Sequence, residues 1–269
     1  MVGNAREHEG WILHESGPPD AARTVLLLPG GMCTAVFYDD LIAEPRLRDA
    51  SLRLVATTVP GHGGTPEPAA LALEHYGRMA AKLVRDLGCD VVVGHSLGAN
   101  VALEMARTGD FAGPLVLLSP SFCREDEARF LRVMDQMATV SGQLPFRFML
   151  AMIGPALKNV KVSPERRDEL VEDLKRNDPG FVRRAIRSYF EYCNRHGSLA
   201  PSLCESGAPA WVVFGEHDDV ALRDDERAVL ESCPTVSLRV VSDAGHLTLN
   251  EQPAVIAGIV LEAVASLPD

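Results

Sequence analysis

The sequence predicts an α/β fold, a mostly parallel, doubly wound β-sheet that carries one helical insertion. Short runs of β-branched and aliphatic residues alternate with stretches of helical spacing, which is typical of βαβ units. The alternation breaks once, between about residues 121 and 205, where every segment reads as a helix. The chain has 269 residues, 46% of them apolar, so one large domain with a substantial core is expected.

The strands are predicted from short, nearly continuous apolar runs bounded by Gly, Pro or Asp, as in sheets that are buried on both faces. An earlier run, Trp11–Glu15, fits an antiparallel leading strand. Between the strands, apolar residues recur every three or four positions, for example from Leu73 to Leu87, which predicts amphipathic helices. The expected buried strands are Val25–Leu28, Arg53–Thr57, Val91–Val93, Leu115–Leu118, Ala210–Phe214 and Ser237–Val241.

The helical block defines the predicted domain organisation. Residues 1–120 and 206–269 are expected to form the sheet-bearing core, and residues 121–205 an inserted helical unit. Because this unit follows the strand Leu115–Leu118, it leaves the sheet at the edge where parallel strands end. We therefore expect it to overhang the loops at that edge.

Charge and composition exclude several classes of partner. The chain has 26 basic and 37 acidic residues, a formal charge of −11, which disfavours nucleic acids and anionic membrane surfaces. No leader or membrane-spanning pattern is found, and the six cysteines form no C-x-x-C pair, so a cytoplasmic protein with reduced thiols is expected. The histidines show no metal-ligand spacing, and no metal or other cofactor is expected.

The segment Val91–Asn100 carries the most specific chemical signal. It reads V-V-V-G-H-S-L-G-A-N, a strand, then G-x-S-x-G, then the start of a helix. A serine at such a turn takes strained backbone angles, and Gly94 and Gly98 let strand and helix approach each other closely. Ser96 is therefore the candidate nucleophile, the alternative being a helix cap in a plain tight turn.

A nucleophilic serine needs a base, and the base needs an acid that orients it. His246 lies on a loop after the last strand, at the same sheet edge as Ser96. The acid candidates follow the strand Ala210–Phe214: Asp218 is favoured, and its neighbour Asp219 is the alternative. Either of them could instead cap the following helix. The order Ser, Asp, His is the one that this strand–turn–helix arrangement requires.

With these motifs the chain resembles the α/β-hydrolase family over nearly its whole length. Besides Gly94–Gly98, the segment Pro60–Thr65 is similar to the family's P-G-H-G-x-S motif. Gly215–Asp218 resembles its G-x-x-D acid segment, Ala244–His246 its G-H base segment, and Glu251–Pro253 its frequent E-x-P. The resemblance implies a hydrolase fold in which the helical insertion is a cap over the site.

The resemblance also implies an oxyanion hole made of two backbone N–H donors. One belongs to Leu97, directly after the nucleophile. The other comes from the loop after the strand Val25–Leu28, where Gly31 and Met32 are the two alternatives. Family members usually have His-Gly at this loop, whereas this chain has Pro29 before its first glycine.

The insertion is rich in Met and aromatic residues, which suits an apolar substrate pocket. Phe148, Met149 and Met152 are the candidate pocket residues, with helix packing as the alternative explanation for them. The expected partner is a small or medium, mainly apolar ester, lactone or thioester, cleaved through an acyl-enzyme. The alternatives are a C–C hydrolase, a lyase or a perhydrolase of the non-haem haloperoxidase type on the same triad, and a non-catalytic ligand receptor.

Overall fold

The computed structural model describes residues 5–268, and its central feature is a sheet of eight strands in the order β1-β2-β4-β3-β5-β6-β7-β8. Strands β3 to β8 pair in parallel, whereas β1 and β2 form an antiparallel edge. The strands are β1 Ala5–His8, β2 Trp11–Ser16, β3 Thr24–Leu28, β4 Arg53–Thr58, β5 Val91–His95, β6 Leu115–Leu118, β7 Ala210–Gly215 and β8 Val236–Val241.

The predicted strands, including the antiparallel leading strand, are confirmed to within two residues. Strand β1 was not predicted, because its sequence A-R-E-H is polar and mostly exposed. It pairs with β2 through a turn in which Glu9 and Gly10 both have positive φ. A hairpin edge of this kind is stabilised by its partner strand rather than by an apolar run of its own.

Helices cover both faces of the sheet, which makes the fold doubly wound. They are α1 Asp39–Ile42, α2 Pro45–Asp49, α3 Leu73–Leu87, α4 Leu97–Arg107, α5 Arg129–Ser141, α6 Leu144–Ala151, α7 Ile153–Ala156, α8 Pro164–Lys175, α9 Pro179–His196, α10 Ala200–Ser206, α11 Asp224–Ser232, α12 Thr248–Glu251 and α13 Pro253–Ala265. Short 3-10 turns lie at Ala35–Tyr38, Arg124–Asp126 and Leu157–Asn159.

The core has two apolar layers because alternate residues of each strand point to opposite faces. In β3, Leu26 and Leu28 pack with α3 and α4, whereas Val25 and Leu27 pack with α13 on the other face. Every residue of β3 is buried. This explains why the central strands read as continuous apolar runs rather than as alternating patterns.

Between β6 and β7 the described chain contains only helices and 3-10 turns, as the sequence predicts. The last of these helices, α10, packs Ala200 and Leu203 into the layer beside α4. The division at residues 121 and 205 stays a prediction. In the part of the chain described, no helix combines the length and apolar character needed to cross a bilayer.

The cysteines differ from the sequence expectation. Cys204 in α10 and Cys233 just after α11 form a disulfide, so the prediction of reduced thiols is wrong for this pair. Their separation of 29 residues gives no local spacing signal. Disulfides persist mainly in oxidising compartments, so the cysteine argument for a cytoplasmic location no longer holds. The described free cysteines are all buried: Cys33, Cys89, Cys123 and Cys193.

Candidate active site

Ser96 lies at the sharp turn between β5 and α4, as its motif predicts. Its backbone has φ 50° and ψ −116°, a conformation that L-residues rarely adopt. The Ser96 N–H donates to the carbonyl of Leu118 at 2.8 Å, which ties the turn to the neighbouring strand. Strain of this kind persists only where the surrounding structure holds it, and such positions cluster at functional sites.

The two glycines of the motif are required by close backbone contacts. A Cβ on Gly94 would lie 2.4 Å from the carbonyl oxygen of Gly98. A Cβ on Gly98 would lie 2.1 Å from the carbonyl oxygen of Leu28 in β3. Both distances are far below van der Waals contact, so no other residue fits at either position without a backbone shift.

His246 and Asp218 are brought together across the loops after β8 and β7. The Nδ1 atom of His246 is 2.8 Å from Oδ1 of Asp218. Asp218 has only 2% of its side chain exposed and also accepts a hydrogen bond from the backbone N–H of Val220 at 2.9 Å. Asp219 is exposed and makes no side-chain hydrogen bond to His246 within residues 5–268. The structure thus pairs the favoured acid candidate with the histidine.

The pair is electrostatically coupled. Burial raises the pKa of Asp218, but the hydrogen bonds from His246 and Ser119 outweigh it, so the pKa lies below its usual value. Burial lowers the pKa of His246, but the hydrogen bond and charge of Asp218 outweigh it and raise this pKa above 6.5. A carboxylate held ionised beside an imidazole is suited to stabilise an imidazolium during a reaction.

Ser119, which sequence analysis did not single out, holds the other oxygen of the acid. It is fully buried, and its hydroxyl donates to Oδ2 of Asp218 at 2.5 Å. The backbone of Ser119 has a φ of 52°, in the left-handed region that non-glycine residues rarely adopt. A serine directly after a strand carries no motif, and only its positive φ and its partner mark it as part of the site.

His95, the residue before Ser96, supports the loop of His246. Its Nε2 atom is 2.9 Å from the backbone carbonyl of His246, and the two rings lie 4.9 Å apart. Burial lowers the pKa of His95 to about 3, so it is neutral and Nε2–H is the donor. Ser96 and His246 line the same cavity, but within residues 5–268 no hydrogen bond joins them. Catalytic hydrogen bonds often form only once substrate is bound.

The loop after β3 reaches the first turn of α4, where the oxyanion donors are expected. A Cβ built on Gly31 would lie 3.8 Å from the side chain of Leu97, so the two backbones are close neighbours. The N–H of Met32 donates to Nδ1 of the buried His62 at 2.9 Å. Gly31 and Leu97 have no such backbone N–H partner within the described residues. Of the two alternatives, Gly31 therefore has the available donor.

A cavity of about 920 Å³ joins these groups to the helical insertion. The three predicted pocket residues, Phe148, Met149 and Met152, all line it. Met149 also packs against the core, whereas Phe148 is 68% exposed and lies at the rim. Most of the lining is apolar, and Glu127, Asp219 and Glu251 are its acidic members.

Possible metal ligands lie outside this cavity. Among the described residues, Cys123, Asp126 and Glu226 form a buried group whose ligand atoms lie within 4.8 Å of one another. Burial and the nearby Asp126 raise the pKa of Glu226 to about 7. The group thus brings the side chains of Asp126 and Glu226 close together. A second group, His8, Glu9 and Asp86, lies at the surface.

The parallel sheet, the strained serine turn and the acid–histidine pair are the defining features of an α/β hydrolase. A family model described as the alpha/beta hydrolase family matches residues 25–259, and the chain belongs to this family. It is an enzyme of the hydrolase class. No curated protein sequence matches the chain.

Solved structures with the same fold share little sequence with the chain. An esterase from Thermogutta terrifontis is 20% identical, with a TM-score of 0.73 over 98% of this chain and 97% of its own. An N-acyl homoserine lactonase is 18% identical, with a TM-score of 0.72 over 100% and 99%. A Mycobacterium tuberculosis protein, provisionally assigned as a non-heme bromoperoxidase, is 19% identical, with a TM-score of 0.74 over 100% and 98%. At these identities the likeness shows the fold alone.

Proposed function

We propose that this chain is a serine hydrolase that cleaves a small or medium, mainly apolar ester, lactone or thioester. The observation that carries the proposal is the 2.8 Å hydrogen bond between His246 and the buried Asp218, at the sheet edge where Ser96 turns. The imidazole lines the same cavity as the strained serine. A nucleophile, a base and an orienting acid are the groups that acyl transfer needs.

In the proposed acylation step, Oγ of Ser96 attacks the acyl carbonyl while Nε2 of His246 takes the hydroxyl proton. The Asp218 carboxylate keeps the Nδ1–H tautomer and stabilises the imidazolium that forms. The negative charge that develops on the acyl oxygen is met by the backbone N–H groups of Leu97 and Gly31. His246 then gives its proton to the departing alcohol or thiol as the acyl–Ser96 ester forms.

Deacylation repeats these steps with water as the nucleophile. His246 removes a proton from water, and the resulting hydroxide attacks the acyl carbonyl in the same oxyanion hole. Collapse of the tetrahedral intermediate releases the acid, and His246 returns the proton to Oγ of Ser96. The proposed mechanism uses the three side chains, the backbone donors and one water molecule.

The apolar cavity supports an apolar substrate, since few of its lining residues are charged. The structural neighbours include proteins named as an esterase and as a lactonase, which agrees with an acyl substrate. Residues Phe148, Met149 and Met152 are proposed to contact the acyl chain. The same triad serves a perhydrolase, so water and hydrogen peroxide should be compared as acyl acceptors.

Labelling with a fluorophosphonate tests the proposal. The adduct is expected on Ser96 by peptide mass spectrometry, and Ser96→Ala should lose the label and lower kcat by at least about 10³-fold. Ser141→Ala, at an exposed serine of the insertion, is the control and should keep both label and rate. An adduct on Cys33 or on another serine would overturn the assignment of the nucleophile.

A further inference from the structure

Within this proposed function, we infer that the cavity contains a polar corner, formed by Ser121, Glu127 and Tyr189, that binds a hydroxyl group of the substrate. Ser121 and Glu127 belong to the segment that follows β6, and Tyr189 belongs to α9. Glu127 and Tyr189 both line the cavity that holds Ser96 and His246. The corner would select mainly apolar acyl substrates that carry a hydroxyl over those that carry none.

Glu127 supplies the acceptor. The hydroxyl of Ser121, itself 1% exposed, donates to Oε1 of Glu127 at 2.6 Å. Glu127 is only 9% exposed, and within residues 5–268 no group donates to its Oε2. A buried carboxylate is costly unless hydrogen bonds compensate for its lost hydration. The second oxygen is therefore an acceptor that a ligand in the cavity can satisfy.

Tyr189 supplies the donor. Its hydroxyl is buried beside the side chains of Ser121 and Cys193, but neither contact has hydrogen-bonding geometry in the described part of the chain. Burial, with the nearby Cys193 and Glu127, raises the pKa of Tyr189 far above its usual value, so the phenol keeps its proton. Buried tyrosine hydroxyls usually have a partner. A substrate oxygen would complete this one.

A substrate hydroxyl group can pair with both side chains, because it can donate a hydrogen bond to Glu127 and accept one from Tyr189. Apolar side chains such as Leu131, Met134 and Ile186 also line the cavity, and a purely apolar substrate chain would leave Oε2 of Glu127 and the Tyr189 hydroxyl without a hydrogen-bond partner. Sites built around buried polar groups reject analogues that cannot pair with them. An ammonium group would pair with the carboxylate but would offer no acceptor to the tyrosine.

The test compares methyl hexanoate with methyl 3-hydroxyhexanoate and methyl 6-hydroxyhexanoate, with kcat/KM measured by pH-stat titration. The wild type is expected to favour at least one hydroxy ester by about 10- to 100-fold, the value of a hydrogen bond to a charged group. Glu127→Gln and Tyr189→Phe should each lower that ratio by about tenfold or more. Glu125→Gln, at an exposed neighbour, should leave the ratio unchanged.

The outcomes separate this inference from the function on which it rests. If Ser96 is labelled and methyl hexanoate is hydrolysed, but hydroxy and parent esters react alike in the wild type, the polar corner is refuted and the hydrolase remains. A preference that survives in both variants refutes it equally. If methyl 6-aminohexanoate is preferred over both hydroxy esters, the assignment to a hydroxyl is wrong. Failure of labelling and of every ester refutes the proposed function itself.

Discussion

The catalytic edge of the sheet and the helical insertion enclose the same cavity, but they are held in different ways. At the sheet edge, two groups of the proposed triad have hydrogen-bond partners from other segments: Asp218 from Ser119, and His246 from Asp218 and His95. In the insertion, Phe148 and Met152 line the cavity while large parts of them face solvent. The difference indicates that the geometry of the acid–histidine pair is strongly constrained, whereas the proposed contacts to the acyl chain lie on a more exposed surface.

The largest expected effect lies at the acid loop. Asp218→Asn should lower kcat by about 10³- to 10⁴-fold, because an amide favours the wrong tautomer of His246. Asp219→Asn is the matched control one residue away, and since its side chain is exposed its kcat should change by less than about threefold. Steady-state kinetics on one ester decide between them, and a more damaging Asp219→Asn would assign the acid to the neighbour.

A smaller effect is expected at Ser119, the second hydrogen-bond donor to Asp218. Ser119→Ala should lower kcat by about 10- to 100-fold, because it removes a hydrogen bond to a charged group. The rate should fall on acidification as His246 becomes protonated, with a midpoint above pH 6.5 in the wild type. Without Ser119 the Asp218 charge is less compensated, so the midpoint should move to higher pH.

A role for Ser119 in packing alone would leave that midpoint in place while lowering the melting temperature. The pH profile of kcat/KM between pH 5 and 9 separates the two explanations. Ser141→Ala, in the exposed part of the insertion, is the control and should reproduce the wild-type profile.

Substitutions in the insertion should have the opposite effect. They should change the preference among substrates more than the overall rate of hydrolysis. Phe148→Ala, at the exposed rim, should shift relative kcat/KM across acyl chain lengths by up to tens of fold, the scale of one or two methylenes in an apolar pocket. Met149→Ala should also cost about 2–5 kcal/mol of stability, because Met149 packs against the core. Chain-length profiles and thermal melts are the two measurements.

If both variants lose stability while their chain-length profiles match the wild type, these residues pack helices and select nothing. The contrast between the two regions would then hold for side-chain exposure but not for specificity. Val140→Ala, at an exposed position of the insertion outside the cavity lining, is the control and should change neither measurement.

The smallest expected effect is a pH dependence of protein stability. It arises from Glu226, which lies close to Asp126 at the junction of the two regions. The pKa of Glu226 is raised from 4.5 to about 7 by burial and then by Asp126, so folding favours the protonated form. The contribution of Glu226 to the free energy of unfolding is largest below about pH 4.5. It is lost as the pH rises toward 7, a change of at most about 3 kcal/mol.

Loss of the proton from Glu226 should therefore lower the melting temperature of the wild type by several degrees as the pH rises from 5 to 8. Glu226→Gln should melt with a smaller dependence on pH and be more stable than the wild type at pH 8. A steeper dependence in the variant would show that Glu226 is not the group that holds the proton.

The sequence predicted those parts of the site that chain order and backbone sterics determine. Ser96 was predictable because its turn needs glycines on both sides, and Asp218 and His246 because parallel strands bring their loops to one edge. The sequence did not indicate which N–H of Gly31 and Met32 is free to act as the proposed oxyanion donor, because this depends on the hydrogen bond from Met32 to His62, 30 residues away in sequence. Ser119 and the Cys204–Cys233 bond depend on tertiary contacts that leave no local pattern.

The disulfide places the proposed acid inside a covalent ring. Cys204 and Cys233 flank β7, the Asp218 loop and α11, so this stretch stays closed on itself even when the rest of the chain unfolds. Closing a ring of about 30 residues removes conformational entropy from the unfolded ensemble that corresponds to about 3–4 kcal/mol in the chain-entropy model. The redox state of a preparation is therefore expected to change its resistance to heat, although neither sulfur belongs to the proposed triad.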